Sequence, residues 1–182
     1  FAAHLYATHR FDNHQRHIFG AVLMHLQVMG VNWCFITGDL FNLFVGVEVM
    51  LMASYALLTL GGHFHQARHG VLYLTLNLLS SLTFLTSLAM LYGLTGTLNM
   101  AHVSQWVAQN GLQTPFAGMW VALLLATFAI KAGLFPLYVW LPNAYVQAPT
   151  AVTILLAGLL TKVGIYVLIR ISTLIAYPLH DA

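Results

Sequence analysis

Residues 126–142 read ATFAIKAGLFPLYVWLP, and the rest of the chain is best interpreted outward from them. The stretch is apolar enough to lie in lipid, yet Lys131 stands near its middle and Pro136 and Pro142 follow. A lysine at the centre of a membrane helix costs about 2.5–3.5 kcal/mol, so it requires a partner, water or a function. Proline breaks or kinks a helix, and a broken helix beside a buried charge is typical of transporter sites.

The composition is that of a membrane protein. Of 182 residues, 60% are hydrophobic and 5% are charged, whereas about a quarter of the residues in a soluble domain are charged. The formal net charge of +2 and the absence of a basic cluster argue against nucleic-acid binding. No phosphate-binding glycine loop or nucleotide fingerprint is present, so no organic cofactor is predicted. The single cysteine, Cys34, excludes an internal disulfide.

Five apolar segments approach the roughly 20 residues that a helix needs to cross a bilayer. We therefore predict an all-α membrane protein with about five transmembrane helices, one of them broken by proline. Residues 1–16 are predicted to form a loop, and residues 17–182 a partial transmembrane domain. The first residue is Phe1 rather than methionine, and an apolar segment lies close to Ala182, so we expect a fragment. The segments are residues 17–37, 40–60, 71–94, 116–141 and 152–175.

The connections between the segments carry local signals. Asp39 directly precedes the second segment and is predicted to be its N-cap. Residues 95–114 form the longest polar connection and could contain a short surface helix. The positive-inside rule places the first loop and the loop between the second and third segments in the cytoplasm. That assignment depends on Arg10, Arg16 and Arg68 on one side against Arg170 near the other.

Three ionisable residues lie deep in the apolar segments: Glu48, Lys131 and Lys162. At about 1.5 Å of rise per residue, the two lysines are expected at similar depth on adjacent helices. One acid and two bases at mid-membrane are sufficient for a proton relay. Alternatively, a Glu48–lysine pair ties helices together, but this leaves one lysine without an acid, and desolvation disfavours its charged form.

Other polar residues carry weaker signals. Three histidines between the second and third segments could bind a metal, but a solvated loop is the better interpretation: His63, His65 and His69. Polar residues of the first segment could line a water path or bond to neighbouring helices: His25, Gln27 and Asn32. Those of the third segment are more typical of interhelical hydrogen bonds: Asn77, Ser80, Ser81 and Thr83. Thr153 and Thr161 are candidates to hold water near Lys162.

Several blocks resemble the D subunits of the multisubunit sodium/proton (Mrp-type) antiporters. The family's parent group includes the proton-pumping membrane subunits of respiratory complex I and of membrane-bound hydrogenases. The resemblance extends over nearly the whole chain from His17 onward. The blocks are TGDLFNLFV at 37–45, EVML at 48–51, GLTGTLNMA at 93–101, KAGLFPL at 131–137 and GLLTKVG at 158–164.

The resemblance implies a membrane protein of about fourteen helices in two inverted repeats. This chain would contribute the fourth to eighth helices, most of the first repeat. Glu48 would be the fifth-helix glutamate, Lys131 the lysine of the broken seventh helix and Lys162 the eighth-helix lysine. Two departures are Asn143, where the family usually has aspartate, and Ala151, where it usually has proline.

The function implied is sodium/proton exchange in a bacterial plasma membrane, together with other subunits of an antiporter complex. One alternative is a redox-driven proton-pumping subunit of complex I or of a hydrogenase. A second alternative, from a different class, is a membrane scaffold without an ion path.

Overall fold

The computed structural model describes residues 14–60, 64–111 and 115–180, which are mostly helical. A π-helical turn, Leu156–Leu160, joins the last two α-helices, so residues 150–180 form one continuous helical span. Most of the predicted first loop, residues 1–13, lies outside the described residues. The α-helices are α1 (His14–Ile36), α2 (Leu40–Thr59), α3 (Phe64–Thr95), α4 (Met100–Asn110), α5 (Pro115–Ala132), α6 (Trp140–Gln147), α7 (Thr150–Leu155) and α8 (Thr161–His180).

The all-α membrane fold predicted from the sequence is confirmed. The predicted fourth crossing, residues 116–141, is divided between α5 and α6, and the apolar part of α5 is the shorter stretch Gly118–Ala132. Four helical segments of the described chain are long and apolar enough to cross a membrane: Ile18–Ile36, Leu40–Thr59, Arg68–Thr95 and Thr150–Leu174.

One predicted boundary is wrong. His65, Arg68 and His69 were assigned to a loop, but α3 begins at Phe64 and includes all three. Hydropathy detects only the part of a helix that lies in hydrocarbon, and polar residues can continue the same helix into the interface. His63 lies outside the described residues, and the residues that are described include no group of histidine, cysteine or acidic side chains suited to a metal ion.

Helix α1 packs closely against α2 through glycine. A Cβ atom added at Gly30 would lie 2.7 Å from the backbone nitrogen of Met50 and 2.9 Å from the carbonyl oxygen of Gly46. Small residues at such interfaces let two membrane helices approach until their backbones touch. The approach fixes the face of α2 that carries Glu48 relative to the rest of the bundle.

Helix α3 is the centre of the packing, because it contacts α2, α5 and α6. Phe84 of α3 lies between Phe44 of α2, at a ring-centroid distance of 5.6 Å, and Phe128 of α5, at 4.9 Å. Both pairs have the edge-to-face geometry that aromatic quadrupoles favour. Helix α8 closes the bundle against α5 and α4.

The predicted N-cap is confirmed. The Asp39 carboxylate accepts from the backbone amides of Phe41 at 2.8 Å and Asn42 at 3.0 Å. Asn99 caps α4 in the same way, and α4 is the short helix expected within residues 95–114. The two caps face each other, since the Leu40 amide donates to the Leu98 carbonyl and the Met100 amide to the Gly38 carbonyl, both at 2.9 Å. These bonds join two connections at one end of the bundle.

The outer face of α3 is apolar. Among its exposed side chains are four leucines, which would be unfavourable in water but are favourable against lipid or other membrane helices. They are Leu78, Leu79, Leu82 and Leu85.

Candidate functional site

The interruption between α5 and α6 begins just after Lys131. Helix α5 ends at Ala132, and Gly133 takes a positive φ of 67°, which costs glycine little. Pro136 lies in the non-helical segment that follows. Pro142 lies in the first turn of α6, where backbone amides have no intrahelical acceptor and the missing N–H costs nothing. The helix therefore stops before either proline is reached.

Backbone groups freed by the interruption find local partners. The Leu134 amide donates to the Ala129 carbonyl at 3.0 Å, and the Gly133 amide donates to the Ile130 carbonyl at 3.1 Å. The indole Nε1 of Trp140, a fully enclosed side chain of α6, donates to the same Ile130 carbonyl at 2.9 Å. Irregular backbone at membrane depth requires such partners, and Trp140 also fastens the two half-helices together.

Lys131 is buried, with 4% of its surface exposed. Its Nζ donates to Ser81 Oγ of α3 at 3.1 Å, and Ser81 Oγ in turn donates to Oε1 of Glu48 on α2. The described connection between the ammonium and the carboxylate therefore passes through one serine hydroxyl. Three helices each contribute one member, and α3 carries the middle one.

The hydrogen-bond directions suit a charged pair. An ammonium group can only donate and an ionised carboxylate can only accept, while a hydroxyl does one of each. Ser81 accepts from Lys131 and donates to Glu48, so both hydrogen bonds run in the direction that a charged ammonium and a charged carboxylate require. A proton could be passed along the same bonds without any large side-chain movement.

Glu48 borders open space on its other side. It is half-buried and lines a groove of about 420 Å³ on the outer face of α1 and α2. The remaining groove walls are apolar, and they include Leu23, Leu26 and Met52. The carboxylate thus has the Ser81 hydroxyl on one side and room to turn away on the other.

Lys162 does not face Lys131, although the sequence predicts the two lysines at similar depth on adjacent helices. Helices α5 and α8 do pack together, but the Lys162 side chain is exposed. Its Nζ donates to the Ala157 carbonyl at 2.6 Å, within the π-helical turn, and to Thr161 Oγ1 at 3.4 Å. The face of α8 that meets α5 carries Gly164 instead, where an added Cβ would lie 2.7 Å from the Ala132 nitrogen.

The remaining predicted site residues lie apart from Lys131. His25 is exposed on α1, and its Nδ1 is 2.7 Å from the Ala21 carbonyl oxygen. Thr153 Oγ1 donates to the Tyr145 carbonyl at 3.1 Å and so joins α7 to α6. Gln27 is fully buried, and neither polar atom of its amide has a hydrogen-bond partner among the described residues.

Sequence reasoning missed Ser81, which was grouped with residues that merely join helices. That reading suits its neighbour Ser80, whose Oγ donates to the Thr127 carbonyl at 3.1 Å. A usable signal was present, because Asn77 and Ser81 are four residues apart and so share one face of an apolar helix. The signal becomes specific only when that face is known to meet both Glu48 and Lys131.

Together these features define an α-helical, multi-pass membrane protein in which an interrupted helix holds a buried lysine against a hydroxyl and a carboxylate. Residues 37–181 match the family model described as NADH:quinone oxidoreductase/Mrp antiporter, transmembrane region. The chain belongs to this family.

Individual relatives agree with that assignment. The chain is 49% identical over 146 residues to the D subunit of the Na+/H+ antiporter of Alkalihalophilus pseudofirmus, covering 80% of this chain and 29% of the relative. It is similar to a chain of the Mrp complex from a Dietzia species, with TM-score 0.74, 39% identity and coverage of 82% and 28%. It also resembles a chain of the membrane-bound sulfane sulfur reductase, an archaeal respiratory membrane complex, with TM-score 0.80, 35% identity and coverage of 85% and 31%.

Proposed function

We propose that this chain is part of a proton-translocating membrane subunit that exchanges Na+ for H+ within a multisubunit antiporter of a bacterial plasma membrane. The observation that carries the proposal is the Lys131–Ser81–Glu48 link beside the interrupted helix. The antiporter relative from Alkalihalophilus pseudofirmus and the Mrp complex support it, although the chain spans only about a third of their length or less. The other antiporter subunits are its partners, and no organic cofactor is required.

In the proposed mechanism Lys131 carries the proton. Burial disfavours the ammonium form, and the attraction of Glu48 through Ser81 opposes that cost. Two charges joined through one hydroxyl are roughly 5 Å apart, which at an effective dielectric of 20 corresponds to about 3 kcal/mol. Loss of that attraction would leave the ammonium group with the Ser81 hydroxyl alone as its partner in the link.

Glu48 acts as the switch in this scheme. Rotation of its carboxylate into the groove formed by α1 and α2 would break the bond from Ser81 and weaken the hold on the Lys131 proton. Return of the carboxylate would restore both the bond from Ser81 and the hold on the Lys131 proton. Lys162, on the exposed face of α8, is the next station and would face parts of the antiporter beyond this chain.

The test uses the full-length protein in its assembled complex, with exchange followed in everted membrane vesicles by a pH-sensitive dye. Lys131→Ala abolishes proton-coupled exchange while assembly persists. Glu48→Gln impairs exchange, and Glu48→Asp retains more activity because it keeps the charge. Exchange by Lys131→Ala at a near-parental rate would remove this lysine from the mechanism, and equal activity of the Gln and Asp variants would remove the charge pair.

A redox-driven proton pump is the second candidate, favoured by the likeness to a chain of a respiratory membrane complex. Reconstitution of the purified complex without an electron donor distinguishes the two candidate functions. An antiporter then exchanges cations for protons along an imposed gradient, whereas a redox-driven pump stays inactive. A scaffold without an ion path predicts instead that Lys131 and Lys162 each tolerate Met or Gln without loss of activity.

A further inference from the structure

Lys131 borders a second polar group that the Glu48 link does not use. A small cavity of about 10 Å³ lies where α2, α3, α5 and α8 meet, and both Lys131 and Asn77 line it. Its other walls are apolar and include Leu160 of the π-helical turn and Gly164 of α8. That volume is at the lower limit for a single water molecule.

Asn77 supplies the independent observation. Its side chain is fully buried, and its Nδ2 donates to the Tyr73 carbonyl at 3.0 Å, which fixes the orientation of the amide. Oδ1 has no hydrogen-bond partner among the described residues. A buried amide oxygen without a partner is unfavourable, and such oxygens in proteins normally accept from a protein group or from ordered water.

The donors available at this point are those of Lys131. An ammonium group has three, and Ser81 Oγ accepts from one of them. A water molecule in the cavity would accept from Nζ and donate to Asn77 Oδ1, which gives it two polar partners in an otherwise apolar enclosure. This meets the usual requirement for a buried structural water.

We propose that one water molecule binds between Lys131 Nζ and Asn77 Oδ1, and that Asn77 positions it as the first proton acceptor from Lys131. The inference rests on the proposed function and adds a residue to it. In the step, an Nζ–H bond breaks with its electron pair remaining on nitrogen, and a new O–H bond forms on the water. The second O–H bond of this water breaks at the same time and its proton passes to a further water molecule, so no hydronium remains in the apolar enclosure. The bound water keeps its hydrogen bond to Oδ1, which is not itself protonated. Ser81 and Glu48 hold the proton on the lysine, and the Asn77 water receives it.

The test compares two Asn77 variants in the full-length complex. Asn77→Leu removes the acceptor at similar volume and lowers the maximal exchange rate by about tenfold or more, with assembly unchanged. Asn77→Asp keeps an acceptor oxygen but loses the donor to Tyr73, so it retains more exchange than the leucine variant. A residue that served only through its Nδ2 bond would lose exchange equally in the two variants, because neither keeps that donor.

Ser87→Ala is the matched control, because Ser87 is also buried on α3 and donates to a carbonyl of α5, that of Trp120, at 2.8 Å. It keeps the parental rate. Equal rates for parent and Asn77→Leu overturn the inference, as do equal losses in the leucine and aspartate variants. If Lys131→Ala is inactive while Asn77→Leu is normal, only this inference fails and the proposed function stands.

If the Asn77→Leu variant fails to assemble, the proposed water site is tested in the structure of the parental complex instead. A cryo-electron microscopy map at water-resolving quality is expected to contain density within hydrogen-bond distance of both Nζ and Oδ1. Continuous protein packing at that position, without a water peak, would overturn the proposal.

Discussion

At the scale of single residues, Ser81 distinguishes this site from a simple ion pair. A direct contact between Lys131 and Glu48 would hold the proton more firmly, since Coulomb attraction at 4 Å is about 4 kcal/mol at an effective dielectric of 20. The intervening hydroxyl weakens the attraction and gives each charge its own hydrogen bond. A buried pair held through a third group can therefore be separated by rotating one side chain.

Ser81→Ala is expected to lower the exchange rate by roughly tenfold to a hundredfold, because hydrogen bonds to charged groups contribute about 1.5–3 kcal/mol. Ser81→Thr keeps a hydroxyl and retains more activity. Ser80→Ala is the control, since its hydroxyl donates only to the Thr127 carbonyl. Exchange rates in vesicles containing equal amounts of complex give the comparison, and similar losses in the two alanine variants would show that the position of the hydroxyl is irrelevant.

The two charged members of the link could be predicted from the sequence, and the serine could not. A buried charge is costly wherever it lies in a membrane helix, so Glu48 and Lys131 are conspicuous in an apolar segment. A serine is tolerated at little cost almost anywhere along such a helix. Its role depends on which helices it meets. The face on which the Lys162 side chain lies could not be predicted for the same reason, because depth along α8 does not determine it.

At the scale of helices, the interruption depends on more than proline. Gly133 permits the chain to leave α5 at Ala132, and Trp140 supplies the donor that satisfies Ile130. The prolines indicated correctly that the helix is interrupted, but not where α5 ends, because a helix can stop before a proline at any residue that allows the turn. Lys131 therefore occupies the last turn of α5, close to α8.

Gly164→Ala tests the closeness of that approach. Its Cβ would lie 2.7 Å from the Ala132 nitrogen and 2.8 Å from the Ala132 Cα, so α8 must shift away from α5. We expect the complex to be destabilised by about 1–3 kcal/mol, together with slower exchange, because the shift opens the wall beside Lys131. Thermal unfolding of the solubilised complex and vesicle exchange measure the two effects.

Gly158→Ala is the control for this substitution, since a Cβ there meets nothing within 4 Å. It is expected to leave stability and exchange unchanged. If both alanine variants behave like the parent, the contact between α5 and α8 is looser than the backbone positions indicate.

At the scale of the whole molecule, the chain corresponds to about 30% of the length of relatives that work in larger complexes. Its interior is well packed around α3, yet large apolar side chains lie on the outer faces of several helices. Lys162 is exposed on the outer face of α8, which also carries exposed apolar side chains. A charged amine among lipid-exposed residues is costly, so we expect the remainder of the complete protein to cover this side of α8.

Lys162→Arg tests whether the exposed lysine titrates. Arginine keeps the positive charge and can still donate to the Ala157 carbonyl, but it does not deprotonate in proteins. A structural role would survive the change, whereas a proton station would be lost, so we expect exchange to be abolished in an assembled complex. Arg170→Lys, at a residue of the same helix that donates to the Tyr166 hydroxyl at 2.7 Å, is the control and keeps the parental rate. Exchange by Lys162→Arg at the parental rate and with the parental pH dependence would leave Lys162 as a residue that only caps the π-helical turn.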